Sequence, residues 1–378
     1  MDKKYNSFET IFNWKKNTYE LFEQNIKEYC NSFYNKYLFI YSLFKLDNNI
    51  LFNINNSINN SFIISKSNTI NRQHYKIKYE KPKNFYLKNI LSIDMKSNIN
   101  CVIELHNKEF AVSTSNGEIF IFSNNTFQIT LTLFAHKSSI WEIIQLKNEL
   151  IASCSDDKTI KFWNIYSHKK NKIEYELINP EEEGFQSIKQ LNDNSIISAS
   201  YNKLKLWDLI SKNIIKIFSG HQKDIISICY FSENTVISGS YDKTIKIWDI
   251  NSNKCLKTLN GHKSYVWKVI KIKMKKYNNQ SLIASCSTDK TIKIWDINSE
   301  KILINLEGHI FTVINIIELK NEKIISCSYD NSIKIWNLNN EICEMTLYGH
   351  SSAVWGICQL KSGKLISVGW DKKIQIWD

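Results

Sequence analysis

Histidine, serine, aspartate and tryptophan return together through most of this 378-residue chain, and the first three are the residue types of a hydrolytic triad. The sets are His136, Asp157 and Trp163; His221, Asp242 and Trp248; His262, Asp289 and Trp295; His309, Asp330 and Trp336; and His350, Asp371 and Trp377. A nucleophile, a base and an orienting carboxylate are usually built once in an enzyme, not five times. Fivefold occurrence reads as structure: buried polar groups that satisfy one another, where breaking one link costs about 1–3 kcal/mol. Metal chemistry fares no better, because five of the eight histidines are tied to the repeat and none has a His or Cys ligand partner two to four residues on. Glycine loops of the Gly-x-Gly-x-x-Gly and Gly-x-x-x-x-Gly-Lys types, which cradle phosphates, are absent. The expectation is a chain with no active site, no cofactor and no metal.

The elements that would carry these residues follow from the period. Trp248 ends the stretch Gly239-Ser240-Tyr241-Asp242-Lys243-Thr244-Ile245-Lys246-Ile247-Trp248-Asp249, and near copies place tryptophan at 163, 207, 248, 295, 336 and 377, with Phe122 where a seventh would stand. The intervals are 41, 44, 41, 47, 41 and 41 residues, the mark of a repeat architecture. Within a unit, a β-branched run, a tight Asp turn and a second such run read as two strands. Gly-His pairs precede four tryptophans and Ala135-His136 a fifth, 27 residues ahead in four units and 33 in the one from His262 to Trp295. Chain order, spacing, Gly-His and the Trp-Asp ending resemble the WD40-repeat family over roughly residues 85 to 378. That resemblance implies an all-β, seven-bladed propeller of four-stranded sheets. It also implies a hydrogen-bond network in each blade; in blade four this would be Trp248, one of Ser238 or Ser240, His221 and Asp242.

Three segments are expected. Residues 1–46 read as a small helical N-terminal extension, since apolar residues from Phe22 to Phe44 step by three and four along one face. The Leu-Pro opening of an F-box is missing there. Residues 47–82 are Asn- and Ser-rich and read as a linker. Residues 83–378 read as the propeller. Because the chain ends at Asp378, directly after its last tryptophan, the seventh blade lacks an outer strand. Tyr86–Ile90 resembles Cys255–Leu259, so the N-terminal side is expected to supply it and close the ring. Blade three departs from the pattern, with Pro180-Glu181 in place of Gly-His and an acidic loop through Glu181, Glu182 and Glu183.

Nine cysteines without a Cys-x-x-Cys spacing read as reduced thiols; Cys154, Cys286 and Cys327 share one strand position that calls for a small buried residue. No stretch is apolar enough to span a bilayer, and no secretory signal opens the chain. The expectation is a location in the cytoplasm or nucleus, with no membrane partner. Net charge is +12, yet 48 of the 49 basic residues are lysines, which lack the planar forks that read phosphate pairs and base edges.

By analogy with the family, a partner sits on the face carrying the turn Asp and loop His, near the mouth of the central channel. Positions pointing there are unusually aromatic: Trp141, Tyr201, Tyr241, Tyr265, Trp267, Tyr329, Trp355 and Trp370. Trp and Tyr give large contact area at small entropic cost. Lys158, Lys243, Lys290 and Lys372 follow the turn Asp and would suit an acidic or phosphorylated peptide. The leading reading is a non-catalytic scaffold or adaptor that binds a protein or peptide, one subclass being a ubiquitin-ligase substrate receptor. The competing reading is an RNA-associated propeller whose lysines follow the phosphate backbone and whose rings stack bases.

Overall fold

The structure is a computed structural model that describes residues 62–65, 76–79, 87–166, 172–181, 183–277, 281–319 and 322–378. The expected helices of residues 1–46 lie outside the described residues. Inside the stretch read as a linker, Phe62–Ser65 pairs antiparallel with Lys76–Tyr79, so that segment carries a hairpin. Residues Leu87–Asp378 form a separate compact unit.

That unit is a seven-bladed β-propeller. Blade four shows the plan, with Ile225–Ser232 innermost, then Thr235–Ser240, Ile245–Asp249 and Lys254–Leu259, all antiparallel. The second strand of a blade is covered on both faces, and it therefore lacks the alternation of a half-exposed strand. Leu282–Ser287, reading Leu-Ile-Ala-Ser-Cys-Ser, is buried at every position. The outermost strand alternates instead, as in Asn213–Ser219. Close packing explains the small residue shared by Cys154, Cys286, Cys327 and Gly239: a Cβ on Gly239 would come within 2.8 Å of Val266 and 2.9 Å of Val269. All three cysteines are fully buried unpaired thiols.

Tryptophan sets the period because each one fills the seam to the preceding blade. Trp248 packs with Ile197, Leu204 and Phe218 of blade three, and Trp336 with Ile292, Ile304 and Leu306 of blade five. Phe122 does the same against Ile366, Val368 and Ile376 of blade seven, stacked on Phe110 at 4.9 Å. A buried aromatic contributes about 3–5 kcal/mol, so a ring at each seam holds the blades together.

Blade seven comprises Val354–Gln359, Leu365–Gly369, Lys373–Trp377 and, outermost, Asn89–Asp94 from the other end of the unit. The inner strands Val354–Gln359 and Ile99–Glu104 are neighbours, and the ring is closed. The closing strand lies three residues further along than the sequence comparison of Tyr86 with Cys255 suggests. Cys255 stands opposite Trp248, but the residue opposite Trp377 is Asn89. Lys88 and Asp378 exchange backbone hydrogen bonds of 2.9 and 3.0 Å just beyond it. In this register Ile93 packs on the seam to blade one and Leu87 on the seam to blade six; a shift of one residue would put each on the opposite face of the sheet.

Candidate protein-interaction face

The recurring polar residues form one relay in each of five blades, the second and the fourth to seventh. In blade four the indole N–H of Trp248 donates to Ser238 Oγ (2.8 Å), which lies 2.7 Å from His221 Nε2, and His221 Nδ1 lies 2.7 Å from Asp242. Ser238, not Ser240, is thus the serine of the network; Ser240 donates to the Lys223 carbonyl instead. The relay repeats through Ser153, Ser285, Ser326 and Ser367, with Trp–Ser distances of 2.8–3.0 Å. His136, His262, His309 and His350 complete it, each 2.7 or 2.8 Å from its serine and bonded to Asp157, Asp289, Asp330 or Asp371.

These are the contacts of a Ser-His-Asp triad in a setting unfit for nucleophilic attack. Every one of the five serines is fully buried, and every hydroxyl oxygen already accepts an indole N–H. Burial holds the imidazoles of His221, His262 and His309 below their usual pKa, against the opposing pull of their aspartates. Burial pushes Asp242 and Asp289 up, but hydrogen bonds from histidine and threonine outweigh it and leave both carboxyls well below the usual range. The neutral imidazole then donates Nδ1–H to the aspartate and accepts the serine proton at Nε2.

Blade three replaces the missing histidine with residues that the spacing does not single out. Trp207 still donates to Ser198 (2.8 Å). The acidic loop folds over Lys205, a fully buried lysine whose Nζ donates to Asn179 Oδ1 and Glu181 Oε2, both at 2.6 Å. Asn179 Nδ2 in turn donates to Ser200 Oγ (2.8 Å) and to the Glu183 carbonyl (2.7 Å).

At the face that carries the turns, a β-bulge in six of the seven inner strands re-aims one side chain. In blades two, five and seven the bulged residues are Trp141, Trp267 and Trp355; in blades one, four and six they are Asn100, Ile226 and Ile314. Trp355 becomes the hub, stacked on Trp370 with ring centroids 4.4 Å apart and packed against Trp267 (5.6 Å), Tyr329 (5.7 Å) and Trp141 (6.0 Å). Tyr241 extends the array, 5.5 Å from Trp267 and 4.6 Å from Tyr265. Seven of the eight aromatic residues singled out by the sequence therefore join in one network, and Tyr201, half exposed, takes part in none of its ring contacts. Trp355 is only 7% exposed and props its neighbours, so the surface that a partner could touch is built from the others. The Trp370 indole N–H is buried without a partner, and that of Trp141 leans on Asp156 without completing a hydrogen bond.

The inner strands also carry a polar belt around the channel. The N–H groups of Ile188, Ile228 and Val269 donate to Glu142, Ser187 and Ser227 of the preceding blade, at 2.9, 3.2 and 3.1 Å. Glu142 additionally accepts from Ser187 Oγ (2.6 Å), Lys189 Nζ (2.5 Å) and, from blade five, Lys268 Nζ (3.1 Å). Burial raises the Glu142 carboxyl, but the two ammonium groups pull it well below the usual range. Among the described residues no cluster of His, Cys, Asp and Glu could hold a metal ion, and no helix is long and apolar enough to cross a membrane.

The family model described as WD domain, G-beta repeat, matches residues 127–164, 212–249, 253–296, 300–337 and 341–378, more than half of the chain. Each match begins in the outermost strand of one blade or just before it and ends at the third strand of the next. The first three strands of blade three, which lacks the histidine, fall between matches. Apoptotic protease-activating factor 1 of Homo sapiens is 28% identical over 149 residues and that of Rattus norvegicus 29%, which is 39% of this chain and only 12% of the length of either relative. An uncharacterized WD repeat-containing protein of Schizosaccharomyces pombe is 25% identical over 118 residues, 30% of each chain. The crystal structure of the WD40 beta propeller domain of Doa1 superposes with a TM-score of 0.68 at 21% identity, over 77% of this chain and 97% of that one. At that identity the likeness is one of fold, and propellers of this kind generally mediate protein–protein interactions. Since the matched repeats supply the same indoles and imidazoles that pin each sheet in place, the chain belongs to the WD40-repeat family.

Proposed function

We propose that this propeller is a non-catalytic scaffold or adaptor that holds a protein or peptide on the aromatic mouth of its top face. The observation that carries the reading is the linked array of seven rings around Trp355, in which partly exposed Tyr329, Trp370, Trp267 and Tyr241 surround a buried hub. Rigid aromatic side chains lose little rotamer freedom on contact and dominate binding hot spots. Packing of the rings on one another supports a protein ligand over RNA, because a base-stacking platform needs ring faces that stand open along a strand. The unpaired thiols among the described residues support a reducing compartment, the cytoplasm or nucleus.

Affinity purification with the intact chain, beside a Tyr265→Ala, Tyr329→Ala double variant, tests this. Both rings are at least partly exposed, so the variant keeps its melting temperature and is expected to lose the partner. A partner retained equally by both forms places the contact elsewhere.

A further inference from the structure

We propose, resting on the interaction face above, that the recess at the edge of blade four is an anion subsite that takes a phosphorylated side chain of the bound partner. The recess has a volume of about 360 Å³ and is lined by Lys223, Lys243 and Lys246 and by one carboxylate residue, Asp242, with Gln222, Thr244 and Tyr241 among the rest of its wall. Lys243 and Lys223 are exposed. The turn holds Lys243 at the rim with a φ of +73°, Lys223 Nζ sits 5.8 Å from the Tyr265 ring centroid, and Lys246 Nζ is anchored on Thr258 Oγ1 at 2.8 Å.

Two carboxylates lie nearby, Asp242 in the wall itself and Asp224 close to Tyr241. Asp242 is occupied within the fold, accepting from His221 Nδ1, from the backbone N–H groups of Gln222 and Thr244, and from Thr244 Oγ1. Asp224, on the neighbouring loop, raises the pKa of Tyr241, but burial is the larger cause and together they push that phenol up to about 12. Tyr241 therefore stays protonated and able to donate.

An aromatic mouth alone would accept a cation over its ring faces as readily as it would accept an anion beside them. Three lysines against the carboxylates of Asp242 and Asp224 leave a net positive edge on blade four, which favours the anion. A carboxylate brings one charge and two oxygens, whereas a phosphoryl group brings nearly two charges and three acceptor oxygens, which suits three point-like donors. Residues flanking the phosphate would then run from Tyr241 onto Tyr265 and Trp267, toward the hub at Trp355. Lysines lack the planar fork of arginine, so the subsite reads charge more than shape and admits phosphoserine, phosphothreonine and phosphotyrosine alike.

The test uses the full chain against pools of seven-residue peptides with degenerate flanks and a central phosphoserine, glutamate or serine, read by fluorescence polarisation at fixed salt. The phosphoserine pool is expected to bind roughly tenfold more tightly than the serine pool. A Lys223→Met, Lys243→Met double variant with an unchanged melting curve should bring it down to the serine level. Equal binding of all three pools, glutamate matching phosphoserine, or a phosphate preference that survives the lysine double variant each overturns the proposal. If the Tyr265→Ala, Tyr329→Ala variant still loses its protein partner while no phosphate preference exists, only the subsite falls and the interaction face stands.

Discussion

The charge state of the buried imidazoles decides how the propeller meets acid. His221, His262 and His309 are held neutral by burial, with folded pKa values below the usual 6.5. In the unfolded chain the same rings take up a proton near that value, so below it the unfolded state binds more protons and stability falls with pH. The paired aspartates act in a lower window. Asp330, whose hydrogen bonds to His309 and Ser332 overcome burial and hold its pKa at about 2, contributes stability that is present above the usual 3.8 and lost as pH drops toward 2. A melting temperature followed from pH 8 to 3 should be flat above about 7, decline from about 6.5, and decline again below about 4. A curve level from pH 8 to 5 would mean that these histidines bind protons equally in the folded and the unfolded chain, so that burial does not hold them neutral. These relays were legible in the sequence because serine, aspartate and tryptophan keep one spacing in all five units and histidine keeps it in four of them. Asn179 and Lys205 were not, since a loop of irregular length carries no register from which to read its partner.

Strand pairing explains both what the repeat predicted and where it slipped. Spacing predicts that something on the N-terminal side must pair with Lys373–Trp377, because sheet edges left open in one blade invite association. It cannot fix the register, since that depends on which of Leu87, Ile90, Leu91 and Ile93 turn toward the seams, a choice made by packing across the ring. A cut before Leu91 spares Leu91–Asp94, four residues of the closing strand, and is a weak test. A chain starting at Phe85 should keep the cooperative melt of the propeller, while one starting at Met95 lacks Asn89–Asp94 altogether and should lose it. Two equal melts would show that blade seven stands on three strands. The aromatic positions follow the same logic: the repeat located Trp141, Trp267 and Trp355 at equivalent places, but the bulges that re-aim them converge on one point, where one ring must be buried by the rest.

Closure of the ring brings together groups that no count along the chain relates, and Glu142 is the case in point. Its carboxylate, on blade two, accepts from Lys268 on blade five, 126 residues away and on the far side of the channel. In one repeat the position after the bulge is a glutamate, in another a lysine, and neither differs in the sequence from a solvated charge. Within the ring the two ammonium groups of Lys189 and Lys268 share that one carboxylate, so removing it leaves both facing each other in a desolvated channel. Losing one partner of a buried charge network costs about 3–5 kcal/mol, and somewhat less here because each lysine is a quarter exposed. Glu142→Gln should therefore destabilise by about 2–4 kcal/mol, and Lys268→Met by less, since Lys189 still answers the carboxylate. Because the pair touches directly, the double variant should recover about 1–3 kcal/mol relative to the sum of the single losses. Denaturant unfolding of the four proteins gives that coupling. Additivity within about 0.5 kcal/mol would show that blades two and five do not meet across the channel, and the ring would then owe its rigidity to its seams alone.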